Sequence, residues 1–285
     1  MTFARSRPEG GALSNSALVD LGGETLVFDT SLTPQAAQDL CHAAAEVTGR
    51  APSLAANSHW HLDHTLGNQA FTAVPTYGTQ RTREILREKL GELSTQISVP
   101  VLEKRVGELE EMLARSPPGA VRMYLRGVLG TNRWLLDAAP TLRIVPPNHG
   151  FQGKVRLPGS RHAELVSFGG GHTESDALLY LPDDGLLATG DLVVVETHPN
   201  VRSGDAEQWL GILRRMEQLR PERVVPGHGP VGGPEAIEAV RDYLSTLLKL
   251  AQGFGPVDIP PRFAGWAMAD QFEGNVEFLR SQRSR

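Results

Sequence analysis

The sequence has little cysteine, no excess of basic charge and no long apolar run. With Cys41 as its single cysteine, no intramolecular disulfide can form. No run of about 18 apolar residues is present, so no membrane-spanning helix is expected. The first residues, MTFARSRPEGG, lack the apolar stretch of a secretory signal. A net charge of −5 without a basic run disfavours binding to nucleic acid. These absences predict a soluble cytoplasmic protein with neither membrane nor nucleic-acid partners.

The rest of the composition is that of an ordinary globular protein. Of its 285 residues, 40% are hydrophobic and 21% are charged, which is enough to build a substantial core. This length allows one large domain or two smaller ones. Cys41 falls on the apolar side of a predicted helix, where a small buried hydrophobe is expected.

The first fifty residues contain clear strand and helix signals. SALVDLGGETLVFDT predicts two strands joined by a turn at Gly22 and Gly23. TPQAAQDLCHAAAEVTG predicts a helix, with Thr33 as N-cap, Pro34 at the first helical position and Gly49 at the end. PSLAANS then predicts a core strand.

Further along, the chain alternates between strand-like and helix-like segments. Residues from about 79 to 140 carry helical spacing with many charges, which predicts a helical insertion. Strands are predicted at TLRIV, AELVSF, ALLYLP and GLLATGD, and helices at DAEQWLGILRRMEQL and PEAIEAVRDYLSTLLKL. The alternation favours a layered α/β architecture, and we expect residues 1–285 to form a single domain that carries this insertion.

Four potential metal ligands crowd into the short stretch HWHLDH. His59, His61, Asp63 and His64 occupy six positions of a chain that has only nine histidines. In an extended segment His59 and His61 project to one side and Trp60 to the other, so Trp60 is expected to pack rather than to contact substrate. This spacing differs from the helical H-E-x-x-H pattern, but imidazole and carboxylate suit zinc and related metals. The alternative, histidines without a shared partner, fits four such residues poorly.

More potential ligands follow later strands. His172 follows a strand and a glycine run, Asp191 ends the apolar strand in LLATGDL, and His228 follows the strand in VVPGHGP. Sites in layered α/β folds collect where strands give way to loops. Glycine permits close backbone approach, and the glycines expected to shape the cavity are Gly169, Gly170, Gly171, Gly190, Gly227 and Gly229.

Together these residues resemble the metallo-β-lactamase superfamily. HWHLDH matches its H-x-H-x-D-H motif in full, and His172, Asp191 and His228 match the later motifs. The resemblance runs from about Ala17 to Leu244 and implies a four-layer αββα sandwich. Asp29 matches the family acid that supports the site without binding metal.

The resemblance also implies a ligand set. His59, His61 and His172 would bind one metal, and Asp63, His64 and His228 a second. Asp191 would bridge both ions together with water or hydroxide. Zinc is the expected metal, with manganese and iron as alternatives. Such a centre, with a small net positive charge, stabilises a tetrahedral intermediate and supplies hydroxide at neutral pH. Asp63 would act as the catalytic residue that orients the nucleophile and accepts its proton.

The same ligand residues favour some reaction classes of the superfamily over others. β-Lactamases of this fold usually carry Cys or Ser at the position of Asp191, which argues against antibiotic hydrolysis. An aspartate there resembles glyoxalase II thioesterases, lactonases and phosphodiesterases. Flavodiiron proteins carry an acid at the position of His61, and RNA-cleaving members need more than the 36 residues between Asp191 and His228. We therefore expect a hydrolase of a small ester, thioester, lactone or phosphoester.

Two other functions and several details stay open. Persulfide dioxygenases share the fold and motif but use one iron, and a non-catalytic binding protein is the third hypothesis. His198 is a candidate for substrate binding because it follows Asp191 closely. Tyr124 and Trp134 in the insertion would either touch substrate or pack. The sequence does not decide whether the helices of the insertion and of residues 235–250 form a homodimer interface.

Overall fold

The computed structural model describes residues 2–4 and 11–283, and for residues 2–4 only the backbone. Most of the first eleven residues, whose sequence predicts no secretory signal, lie outside the described residues. The chain divides into two compact units. The first comprises Met1–Phe151 and Gly159–Arg161, and the second Gln152–Pro158 and His162–Arg285. Among the described residues, no helix has the length and apolar character needed to cross a membrane.

The first unit contains a six-stranded sheet whose strands follow one another in chain order. The first three strands pair antiparallel, and from the third strand onward the pairing is parallel. Every residue of the second and third strands except Asp20 is buried. The strands are β1 Thr2–Ala4, β2 Ser16–Asp20, β3 Thr25–Phe28, β4 Leu54–Ala56, β5 Thr76–Thr79 and β6 His149–Phe151.

The first helix of this unit follows the capping signals of the sequence. In the first helix, Thr33 Oγ1 accepts a hydrogen bond from the backbone N–H of Ala36 at 3.2 Å, and Gly49 ends the helix with φ of 72°. Leu40 and Ala44 of this helix pack against β2, β3 and β4. The helices are α1 Pro34–Thr48, α2 Leu62–Thr65, α3 Gln80–Glu88, α4 Leu90–Gln96, α5 Val99–Arg115 and α6 Ala120–Ala138.

Helices α5 and α6 form a hairpin with an apolar seam of its own. Its helical spacing places leucine and valine on the facing sides, and the charged residues face solvent. Tyr124 is half-buried, and Trp134 is 37% exposed on α6. The buried residues of the seam are Val106, Leu109, Leu125 and Leu129.

The second unit contains a five-stranded sheet and the remaining long helices. Its strand order is β11-β10-β9-β8-β7, antiparallel except for the parallel pair β10 and β11. The core packs Trp209, Tyr243 and Phe272, each fully buried. The elements are β7 Lys154–Arg156, β8 Glu164–Val166, β9 Leu178–Leu181, β10 Leu186–Ala188, α7 Ala206–Gln218, β11 Arg223–Val225, α8 Glu235–Leu250 and α9 Asp270–Arg283.

The predicted strand TLRIV does not form. Residues 139–141 make a 3₁₀ turn and the following residues are irregular. Two side chains satisfy the backbone there: Gln69 Oε1 accepts from the N–H of Arg143 at 2.7 Å, and Asn68 Nδ2 donates to the carbonyl of Val145 at 2.9 Å. Because these hydrogen bonds use backbone groups of Arg143 and Val145, those groups are not available to pair with a neighbouring strand.

Candidate metal centre

The first unit brings together the four ligand-type residues of the HWHLDH motif. Strand β4 ends at Ala56, and α2 begins within the motif. The ring centroids of His59 and His61 lie 4.6 Å apart, and those of His59 and His64 4.3 Å apart. Asp63 Oδ2 lies 3.5 Å from His64 Nε2. Imidazole and carboxylate groups so close together have the chemistry of a metal-binding group.

Hydrogen bonds assign the tautomers of two of these histidines. The Asp29 carboxylate accepts from His64 Nδ1 at 2.9 Å and from Ser58 Oγ at 2.8 Å. Since Ser58 Oγ donates its only proton to Asp29, it acts as the acceptor in its contact with His59 Nδ1 at 2.9 Å. Both rings therefore carry their proton on Nδ1 and present the Nε2 lone pair, which is the form that binds metal.

Asp29 holds this arrangement from a strained backbone. It is 1% exposed and has φ of 62°, a left-handed conformation that non-glycine residues adopt rarely. Its N–H donates to the carbonyl of Ala56 at 2.8 Å, and its Oδ1 accepts from the N–H of Ser58 at 2.7 Å. Such strain persists where surrounding bonds over-determine it, often at functional sites.

A pair of asparagines fixes the backbone of His64 and was missed in the sequence. Asn57 and Asn68 exchange amide hydrogen bonds at 3.0 and 2.8 Å. Asn57 Nδ2 also donates to the carbonyl of His64 at 2.9 Å, and the N–H of Thr30 donates to the same carbonyl at 3.0 Å. Both asparagines flank the motif in NSHWHLDHTLGN, a signal that sequence reasoning could have used.

Trp60 was expected to project to the side opposite His59 and His61, but its ring contacts that of His61. Residues 58–60 form bends rather than a strand, so strict alternation does not apply to them. The ring of Trp60 lies 4.5 Å from that of His61, and Lys89 Nζ lies 4.6 Å from the Trp60 centroid. Trp60 therefore contacts both a cation and a potential ligand.

In the second unit, a buried aspartate shapes the loop that carries His172. Asp176 accepts from the N–H groups of Gly171 and Thr173 and from Thr173 Oγ1, at 2.7 to 3.1 Å. Burial raises the pKa of the Asp176 carboxyl, against the opposing effects of His172 and of these donors. His172 Nδ1 lies 3.1 Å from the carbonyl of Asn200, so it donates and leaves Nε2 to bind metal.

Asp191 presents one carboxylate oxygen to each of two histidines of the same unit. Its Oδ2 lies 3.4 Å from His172 Nε2, and its Oδ1 lies 3.4 Å from His228 Nε2. Two ligands on a tetrahedral ion with bonds of 2.0 to 2.1 Å lie about 3.3 Å apart. Both separations fit ligands of a shared ion better than direct hydrogen bonds.

A glycine makes room for the Asp191 carboxylate. A Cβ atom at position 227 would overlap Oδ1 of Asp191. The N–H of Gly227 also donates to the carbonyls of Gly190 and Val193, at 2.9 and 3.0 Å. The donor chemistry, the tautomers and this cradle all fit a bound divalent metal ion.

His198 lies in the aromatic core of the second unit. It is 1% exposed, and its Nδ1 lies 3.1 Å from the hydroxyl of Tyr243. The rings of Trp266 and Phe272 lie 5.7 Å from its own. Burial lowers the pKa of His198, partly offset by a backbone hydrogen bond. A role in substrate binding stays a prediction.

The other histidines lie apart from these groups. His42 and His149 are exposed, and His162 Nε2 lies 3.1 Å from Glu164 Oε1.

The sequence model of the metallo-beta-lactamase superfamily matches residues 10–228. The chain belongs to this superfamily. The metallo-beta-lactamase type 2 of Bacteroides fragilis is 27% identical over 125 residues, covering 41% of this chain and 50% of that protein. The linear primary-alkylsulfatase of Pseudomonas sp. (strain ATCC 19151) is 30% identical over 121 residues, covering 33% of this chain and 23% of that protein. The chain thus spans half or less of these curated relatives.

The solved structures show the fold. A metallo-beta-lactamase from Pontibacter korlensis superimposes with a TM-score of 0.59 at 18% identity, over 81% of this chain and 87% of that one. The DIM-1 metallo-beta-lactamase gives 0.58 at 17% identity, over 86% and 91%. The predicted metallo-β-lactamase fold, with two sheets flanked by helices, is confirmed.

Proposed function

We propose that this superfamily member is a metal-dependent hydrolase of a small ester, thioester, lactone or phosphoester. The observation that carries the proposal is Asp191, whose two oxygens each face a different histidine at 3.4 Å. A carboxylate that offers a different oxygen to each of two histidines could contribute to the binding of two metal ions.

The proposal assigns the ligands of the two units to two divalent ions, with zinc the expected metal. Asp191 is shared, and the remaining histidines and aspartate divide between the ions. As the family resemblance implies, His59, His61 and His172 would hold one ion, Asp63, His64 and His228 would hold the other, and Asp191 would contribute to both.

The protein's own residues prepare this chemistry. When bound, the ions would lower the pKa of a coordinated water towards about 7 and polarise the scissile bond. Asp29 and the carbonyl of Asn200 accept from Nδ1 of His64 and His172, which orients these imidazoles with Nε2 presented to a metal. The side chain of Asp63 is 17% exposed, so its carboxylate is accessible to orient a nucleophilic water and accept its proton.

Sulfate esters are a second substrate class for this proposal. The alkylsulfatase relative, at 30% identity, supports testing them, and the β-lactamase relatives support testing β-lactams. Against β-lactams stands Asp191, at a position where enzymes of that activity usually carry Cys or Ser.

Metal analysis combined with a substrate panel tests the proposal. Protein loaded with zinc would be assayed on thioesters, lactones, phosphodiesters, alkyl sulfates and β-lactams. Asp63→Ala should abolish turnover while the protein stays folded, and Asp258→Ala, at an exposed position, should not. An Asp63→Ala variant as active as the parent contradicts the mechanism. One iron per chain with oxygen consumption would instead identify a persulfide dioxygenase-like oxidoreductase.

A further inference from the structure

A buried asparagine in the C-terminal helix contacts the loop that orients His172. Asn275 is 0% exposed on α9, which lies beyond residues 10–228 matched by the family model. Its Nδ2 donates to the carbonyl of Pro199 at 2.7 Å, and its Oδ1 lies 3.5 Å from the N–H of Val201. The amide therefore holds the chain on both sides of Asn200.

Asn200, which lies between Pro199 and Val201, contacts a potential metal ligand. The carbonyl of Asn200 accepts from His172 Nδ1 at 3.1 Å. The acceptor is a backbone atom, so its position depends on the groups that fix the backbone, among them Asn200 Oδ1, which accepts from the N–H of Arg202 at 2.9 Å. The side chain of Asn275 contacts the backbone on both sides of Asn200, at the carbonyl of Pro199 and at the N–H of Val201.

Two further contacts couple the same loop to its surroundings. The N–H of Asp205 donates to the carbonyl of Gly171 at 2.9 Å, beside His172. On the other side, a Cβ atom at Gly274 would overlap the guanidinium of Arg202. Helix α9 thus packs closely on the loop at the position next to Asn275.

An ordinary structural role would not require this placement. A buried amide needs hydrogen-bond partners somewhere, and the hydroxyl of Tyr243, 3.3 Å from Nδ2, supplies one. The contacts with Pro199 and Val201 add a specific consequence, because they flank the acceptor of a metal ligand.

We propose that Asn275 is a positioning residue for His172, acting through the carbonyl of Asn200. It keeps that carbonyl where it orients the imidazole and fixes its proton on Nδ1. The inference rests on the proposed function, since it assumes that His172 binds metal. Helix α9 lies outside residues 10–228, which the family model matches, and would therefore contribute to metal affinity through Asn275.

Zinc affinity of the full-length protein tests this inference, measured by competition with a chromophoric chelator. Asn275→Leu, of similar size but without the amide, should bind zinc about tenfold more weakly, as loss of an outer contact to a ligand does. Val276→Ala is the matched control, because Val276 is also 0% exposed on α9. It should lower thermal stability and leave zinc affinity within twofold of wild type. The visible spectrum of the Co²⁺-loaded protein should change for Asn275→Leu only.

A second variant covers the case in which Asn275→Leu does not fold. Asn275→Asp keeps the shape and the acceptor but removes the donor to Pro199, and it should weaken zinc binding in the same direction. If wild type binds zinc and the folded Asn275 variants bind it equally well, the inference is wrong. If wild type binds no zinc at all, the proposed function fails first, so the two failures are distinguishable.

Discussion

His64 Nδ1 lies 2.9 Å from Asp29 Oδ2, and the two side chains are 0% and 2% exposed. The same carboxylate accepts from Ser58, which in turn accepts from His59. One buried acid thus sets the tautomer of two potential ligands, so a change at Asp29 should reach metal binding through both.

Asp29→Asn should weaken zinc binding by about 10- to 100-fold, the usual cost of removing an outer partner of a ligand. Asparagine tolerates the left-handed backbone at this position, so strain does not confound the comparison. Zinc affinity by chelator competition measures the effect. Asp39→Asn, at an exposed position, should leave affinity unchanged; equal affinity for both variants would contradict a role for Asp29.

Asp191→Ala should lower the zinc content and reduce kcat/KM for the best substrate at least about 100-fold. The variant removes the carboxylate that both His172 and His228 face at 3.4 Å. Elemental analysis after dialysis gives the metal content. Asp183→Ala, an exposed aspartate of the same unit, is the control, and full zinc content in Asp191→Ala would exclude a shared ligand.

Gly227→Ala should destabilise the protein by about 1–3 kcal/mol, because its Cβ overlaps Oδ1 of Asp191 and the cradle cannot open without strain. Zinc binding should weaken as well. Gly211→Ala provides the opposite case: nothing lies near its Cβ within α7, so it should stabilise by about 0.5–1 kcal/mol. Urea unfolding of both variants measures the difference, and the same sign for both would refute the steric argument.

The sequence predicted helix ends and turns correctly where residues close in the chain determine them. Thr33 and Gly49 bound α1 as capping rules require, and the Gly22 and Gly23 turn joins β2 to β3. The strand predicted at TLRIV does not form, because side chains distant in sequence hydrogen-bond to the backbone of Arg143 and Val145. Helix α9 was missed although Phe272, Val276 and Leu279 have helical spacing and are buried, since the prolines before it obscured the pattern.

The candidate site divides in the same way. Residue types alone pointed to the histidines and aspartates as potential ligands, because few other side chains bind zinc. Their partners were out of reach: Ser58, Asp176 and Asn275 are common residue types whose roles arise from tertiary contacts. Asn275 contacts Pro199, 76 positions away, and no spacing rule connects two such residues.

Stability should fall in acid partly because of His198. Burial lowers its folded-state pKa, although the carbonyl of Phe263 and the charge of Asp270 oppose this. Above the pKa of about 6.5 that His198 has in the unfolded chain, the ring is neutral in both the folded and the unfolded protein, so its burial as a charged group does not reduce stability. Below that pH the unfolded chain takes up a proton that the folded protein resists, so stability is lost by at most about 1.4 kcal/mol per pH unit.

His198→Asn should therefore flatten the decline in unfolding free energy between pH 7.5 and 5.5, even though it lowers stability at every pH. The amide can still hydrogen-bond to Tyr243, and all other titrating groups are shared with wild type, so they cancel in the difference. Urea titrations at both pH values give the slope. His42→Asn, at an exposed position, should keep the wild-type slope. A His198→Asn variant with that same slope would show that His198 protonates as readily in the folded protein as in the unfolded chain.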